Sequence, residues 1–191
     1  IKDKPIIIHT IEKFLSEPEF EKIIVLSPAT WIEHTKKIIA KHIGDCDKVT
    51  VIAGGNTRNE TIMNSIDYIE QNYGLDDDTI IVTHDSVRPF VTHRIIKENI
   101  EAAKKFGACD TVIPATDTIV ESVDGSVISA IPERKNMYQG QTPQSFKAKN
   151  LREIYLSLTD AQRDILTDAA KILVMKGQGV HLVDGETYNI K

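Results

Sequence analysis

Short apolar runs alternate with segments of helical periodicity along this chain, and that alternation narrows its possible folds more than any other feature. Residues 22–27, 49–52, 80–83, 111–114 and 180–183 read as strands buried on both faces. Between them, residues 31–43 place Ile32, Thr35, Ile39 and Ile43 on or near one helical face. Residues 59–73 do the same with Ile62, Ile66 and Ile69. Residues 92–106, with Thr92 as N-cap, and residues 147–157 and 168–176 continue the series as helices. An amphipathic helix over residues 5–15, with Pro5 near its first turn, precedes them all. Strands separated by helices at this spacing pair in parallel, so the expected class is α/β, a mostly parallel sheet with flanking helices.

One segment interrupts the pattern. Residues 118–123 and 126–131 are β-rich and flank Asp124-Gly125, a strong hairpin signal. A β-hairpin arm is expected to project from the domain. Its apolar residues need a surface to pack on, and a second copy of the chain is the natural one. With 191 residues the chain has the length of a single domain. The net charge of −5 argues against general nucleic-acid binding, so an anionic substrate needs a locally basic site. No apolar run has the length of a membrane span, and no signal-peptide pattern is present. Cys46 and Cys109 form no metal-ligand pattern or disulfide framework, and Cys109 reads as a core residue. A reducing cytoplasm is therefore the expected compartment.

The segment Thr83-His84-Asp85-Ser86-Val87-Arg88-Pro89-Phe90 follows a strand. Its carboxylate and guanidinium fall just past the strand's C-terminal end, where open α/β sheets bind ligands. Asp85 can hold a metal and Arg88 can clamp a phosphate; taken alone, the pair more often describes a surface turn with an ion pair. Gly54-Gly55, followed by Arg58 and Thr61, opens a helix whose N–H groups suit an anion, or else forms a structural turn. Thr116-Asp117-Thr118 enters the hairpin as a phosphate or sugar contact, or as a simple turn. Arg134-Lys135 lies at the hairpin's base as a phosphate clamp or a solvated turn. Residues 138–146 read as one wall of a sugar pocket, or as a simple polar loop. By itself Lys191 is a surface charge.

Taken in order, Gly-Gly-x-x-Arg, His-Asp-x-x-Arg-Pro, Asp-Thr, Thr-Pro-Gln and Asn-Ile-Lys resemble the cytidylyltransferases that act on sugar-alcohol phosphates. One branch makes CDP-methylerythritol for isoprenoid synthesis and the other CDP-ribitol for wall teichoic acid. Residues 84–90 and 138–146 look like the ribitol branch, with the methylerythritol branch as the alternative. The resemblance implies a Rossmann-like fold whose arm (about residues 117–134) embraces the partner of a homodimer. It implies CTP and a polyol phosphate as substrates, Mg²⁺ as cofactor and pyrophosphate as a product. The implied nucleotide contacts are Gly54, Gly55, Arg58, Thr61 and Ser86. Asp85 is the implied metal ligand, with Arg88 and Lys191 also catalytic. Arg88, Lys191, Thr118, Arg134 and Thr142 are the implied acceptor contacts, with Thr118 and Arg134 serving the partner's site. Asn56 stands where the family has an acidic residue. The family's N-terminal Gly-rich loop has no counterpart in residues 1–13. The start at Ile1 and the stop at Asn189-Ile190-Lys191, where an apolar strand should continue, lead us to expect flanking sequence at both ends. A chain lacking that loop has another reading, a non-catalytic nucleotide-binding scaffold.

Overall fold

The computed structural model describes residues 3–191. The elements run α1 (Ile6–Leu15), β1 (Ile23–Ser27), α2 (Ile32–Ile43), β2 (Val49–Ala53), α3 (Arg58–Tyr73), β3 (Ile80–Thr83) and α4 (His93–Phe106). They continue through β4 (Ala108–Pro114), β5 (Tyr138–Lys147), α5 (Ala148–Leu156), α6 (Asp160–Asp164), α7 (Ala169–Val174) and β6 (His181–Asp184). Thr92 caps α4 as its sequence predicts, its hydroxyl accepting from the Ile95 amide.

β1 pairs in parallel with β2, and the other strands are ordered β3-β5-β4-β6. β4 and β6 are parallel, and β5 runs antiparallel to both β3 and β4. The C-terminal ends of β1, β2 and β3 lie together: Gly54 N–H donates to the Ser27 carbonyl, and Arg58, four residues on, reaches Asp85. Strand direction is thus shared, with β5 as the single reversal. Helices cover both faces. Ile62, Ile66, Leu151, Ile172 and Leu173 from α3, α5 and α7 pack against Ile81 and Phe146. Phe14 of α1 joins Ile95, Ile96 and Ile100 of α4 on the opposite face.

β5 corrects the polar-loop reading of residues 138–146. It is a ten-residue strand between two others. Its register explains how it holds Gly140 and Pro143. Asp110 faces Gln144 while Val112 faces Gly140, so four steps along β5 oppose two along β4. Pro143 falls inside that bulge, where no ladder N–H is demanded. The hairpin reading needs a smaller correction. Gly125 adopts φ 72° and the Asp124 carboxylate accepts from the Ser126 and Val127 amides, so the turn forms. The flanks form a single Glu121–Ala130 bridge, with contacts from Ser129 to the Glu121 carbonyl and from the Ser122 hydroxyl to the Val127 carbonyl, and no regular ladder extends from it among the described residues.

The facing edges of β1 and β3 are not bonded to each other. Between them lies a cavity of about 360 Å³ lined by Ile23–Leu26 and Ile80–Thr83, with α1 on one side and α3 on the other. No helix among the described residues is long and apolar enough to cross a membrane.

Candidate functional site

The turn after β3 delivers Asp85 to the C-terminal ends of the strands, and its side chain is 12% exposed. Arg58 Nη1 lies 2.7 Å from Oδ1. Arg88 Nε, at 3.2 Å, and Lys191 Nζ, at 3.1 Å, both face Oδ2. Three cations around one carboxylate leave a local excess of two positive charges (3 − 1) on a chain of net charge −5. Burial alone would raise the Asp85 carboxyl, but Arg58, Lys191 and Arg88 outweigh it and hold it below the usual aspartate range.

Neighbouring side chains fix this cluster. His84 Nε2 lies 3.0 Å from the Arg88 carbonyl, which can only accept, so Nε2 carries the proton. His84 Nδ1 then accepts from the Thr142 hydroxyl at 2.9 Å, and that hydroxyl accepts from the Asp85 amide at 3.2 Å. Burial pushes the His84 imidazole down to about 4, so the ring is neutral at pH 7 and adds no charge. Thr142, an implied acceptor contact, is buried and holds the Asp85 backbone. Arg88 Nη1 donates to the Asn189 carbonyl at 2.6 Å. The buried Asn189 amide donates to Gln141 Oε1 and to the Thr142 carbonyl, pinning the segment that brings Lys191 to Asp85.

The Gly54-Gly55 turn sits beside the cluster. A Cβ on Gly55 would lie 2.4 Å from Glu60 Cβ, so only glycine lets the turn close against α3. The Gly55 amide donates to Thr61 Oγ1 at 2.9 Å, and the Asn56 amide donates to Glu60 Oε2 at 2.7 Å. Thr57 and Glu60 complete a capping box. The Gly55, Asn56 and Thr57 amides are therefore engaged within the turn, and the Glu60 amide by the Thr57 cap. What the turn directs at the site is Arg58, from the first residue of α3.

Ser86 is exposed on the turn that carries Asp85, and its carbonyl accepts from Thr10 Oγ1 at 2.8 Å, tying α1 to that turn. Thr118 and Arg134 are exposed on the arm, where Arg134 Nη1 donates to the Thr116 carbonyl. No hydrogen bond or ion pair among the described residues joins either to Asp85. Sequence reasoning assigned no role to Gln144, Asp168 or Asn189. Two of them stand inside motifs it did use, Thr-Pro-Gln and Asn-Ile-Lys.

No group of three or more His, Cys, Asp or Glu side chains among the described residues is arranged to hold a metal. Asp85 offers a single carboxylate, ion-paired through both oxygens, so a Mg²⁺ held there would need its further oxygen ligands from a bound polyphosphate and water.

The protein-family match covers residues 1–191, under the description 2-C-methyl-D-erythritol 4-phosphate cytidylyltransferase. Solved structures agree with it. The 4-diphosphocytidyl-2C-methyl-D-erythritol synthase of Anaerococcus prevotii aligns with a TM-score of 0.84 at 24% identity, over 100% of this chain and 81% of that one. The Francisella tularensis 2-C-methyl-D-erythritol 4-phosphate cytidylyltransferase aligns at 0.82 and 26% identity, over 98% and 82%. The Thermus thermophilus protein of the same description aligns at 0.73 and 23%, over 100% and 83%. These descriptions favour the methylerythritol branch over the ribitol branch that residues 84–90 and 138–146 resemble. This chain belongs to the 2-C-methyl-D-erythritol 4-phosphate cytidylyltransferase family and is a cytidylyltransferase.

Proposed function

We propose that the protein joins CTP to 2-C-methyl-D-erythritol 4-phosphate, releasing pyrophosphate. The observation that carries this reading is the Asp85 carboxylate ringed by Arg58, Arg88 and Lys191 at the strand ends. Such a cluster suits two anionic substrates that must be brought together. An oxygen of the acceptor phosphate attacks the α-phosphorus of CTP, and the bond from that phosphorus to the bridging oxygen of pyrophosphate breaks. A phosphate dianion is already a competent nucleophile, so catalysis rests on positioning and charge neutralisation rather than on a general base. The neutral, fully hydrogen-bonded His84 agrees with that economy. Arg88 and Lys191 orient the acceptor phosphate, and Arg58 faces the triphosphate. Asp85 would hold a Mg²⁺, which would supply charge neutralisation to the phosphates. The Gly54-Gly55 turn, Thr61 and Ser86 border the nucleotide. Thr142 fixes Asp85, and Thr118 and Arg134 serve the acceptor from the partner's arm in a homodimer.

Ribitol 5-phosphate is a second acceptor reading, favoured by the sequence of the Asp85 turn and of β5. Product analysis of the full-length protein with CTP and each polyol phosphate decides between them. The expected product is CDP-methylerythritol. CDP-ribitol formed in its place replaces the acceptor, and no product with either acceptor ends the proposal. In the same assay Asp85→Asn should lose at least about tenfold in turnover at controlled free Mg²⁺, because a neutral amide binds the ion more weakly.

A further inference from the structure

We propose that Gln144 is a positioning residue, whose side-chain amide, oriented by the Asp168 carboxylate, fixes Arg58 against Asp85. Gln144 is 1% exposed, so both ends of its amide need partners within the protein. Its Nε2 donates to Asp168 Oδ1 at 3.0 Å and Oδ2 at 2.8 Å. Its Oε1 accepts from Arg58 Nη2 at 3.3 Å. The charges on either side permit one amide orientation. A flipped amide would aim its oxygen at a carboxylate and its N–H groups at a guanidinium.

Both anchors are rigid. Gln144 stands opposite Thr83 on one side and Asp110 on the other, in the strand between β3 and β4. Asp168 caps α7, accepting from the Ala170 amide at 2.8 Å. Arg58 is thus gripped from two directions, by Asp85 through Nη1 and by Gln144 through Nη2. A guanidinium is a planar fork, and two fixed bonds set the plane in which its remaining donors point. The Asp168–Gln144–Arg58 chain orients a cation before any ligand arrives, which lowers the cost of binding a polyphosphate. This consequence for activity rests on the proposed function; the hydrogen-bond chain itself does not.

The test exchanges the polarity of the contact. Gln144→Glu sets a carboxylate against Asp168. Adding Asp168→Asn restores a donor–acceptor pair, since the introduced amide can donate to one oxygen of the introduced carboxylate while the other oxygen accepts from Arg58. Asn also caps helices about as well as Asp. In the full-length protein Gln144→Glu should lower kcat/KM for CTP about tenfold, and the double variant should return to within about threefold of wild type. In an Arg58→Ala background Gln144→Glu should cost little more. Thermal unfolding provides a readout independent of turnover: the double variant should melt above the Gln144→Glu single variant. A double variant no more active and no more stable than Gln144→Glu overturns the proposal, as does an undiminished Gln144→Glu effect without Arg58. If wild type releases no pyrophosphate with either acceptor, the proposed function fails, and the melting comparison alone decides the role of Gln144.

Discussion

Two aspartates near the ends of β3 and β4 show how environment sets a residue's chemistry. Asp85 is surrounded by cations and stays ionised despite its burial. Asp110 faces Gln144 with Oδ1 buried and without a hydrogen-bond partner among the described residues. Burial pushes its carboxyl up to about 7; Asp168 adds to the rise, while Gln144 and Arg58 oppose it. The folded-state value lies above the unfolded one, so the native state holds a proton that the unfolded chain releases. The associated stability is fully present below the ordinary value of 3.8 and is lost as pH rises through about 7. Relative to Asp110→Asn, wild type should therefore lose stability between those limits and level off above them. The loss should be on the order of 2 kcal/mol, discounted for partial solvent access. Urea unfolding of both proteins across pH 4–8 measures it, and a difference independent of pH would falsify the assignment. Composition reveals nothing of this contrast, because both residues are simply Asp in or beside an apolar run.

At the scale of elements, legibility depends on whether a segment satisfies its own needs. α3 and α4 show in the sequence because an apolar stripe suffices to place each, with the Thr92 cap marking the start of α4. β5 does not show: Gly140, Pro143 and three glutamines are poor strand formers, and only β3 and β4 on either side make the segment extended. The arm fails in the opposite sense. Its turn residues are right, yet Val123 and Val127 are 87% and 67% exposed, and two isolated strands have no face to pack on. β1 carries a test of the opening beside it. Ile23 N–H donates to the Lys48 carbonyl, so strand alternation turns the Ile24 and Leu26 amides toward β3 across the cavity. In this 191-residue chain those two amides should exchange with solvent at least about tenfold faster than Ile23 and Val25. Equal protection, measured by NMR-detected exchange, would mean that the opening is bridged in solution.

At the scale of the whole molecule, the acceptor contacts implied by the sequence separate into two groups. Arg88 and Lys191 meet at Asp85, while Arg134 stays on the arm. If a second copy supplies Arg134, homodimers of Arg88→Ala and of Arg134→Ala should each lose at least about tenfold in turnover. Mixed subunits should regain part of it, because one site of each heterodimer carries both arginines and the other carries neither. Heterodimers that form without recovered activity place Arg134 outside the partner's site. The sequence by itself determined the α/β class, the helix register, the Thr92 cap, and the position of Asp85 and Arg88 past a strand end. These follow from periodicity and from contacts between residues a few positions apart. Only the tertiary structure decided that Gln144, Asp168 and Asn189 hold the cluster of Arg58, Arg88 and Lys191 there, and that a glutamine-rich stretch is a central strand. Those contacts join residues far apart in the chain, and no local preference encodes which distant partner will satisfy a buried amide or carboxylate.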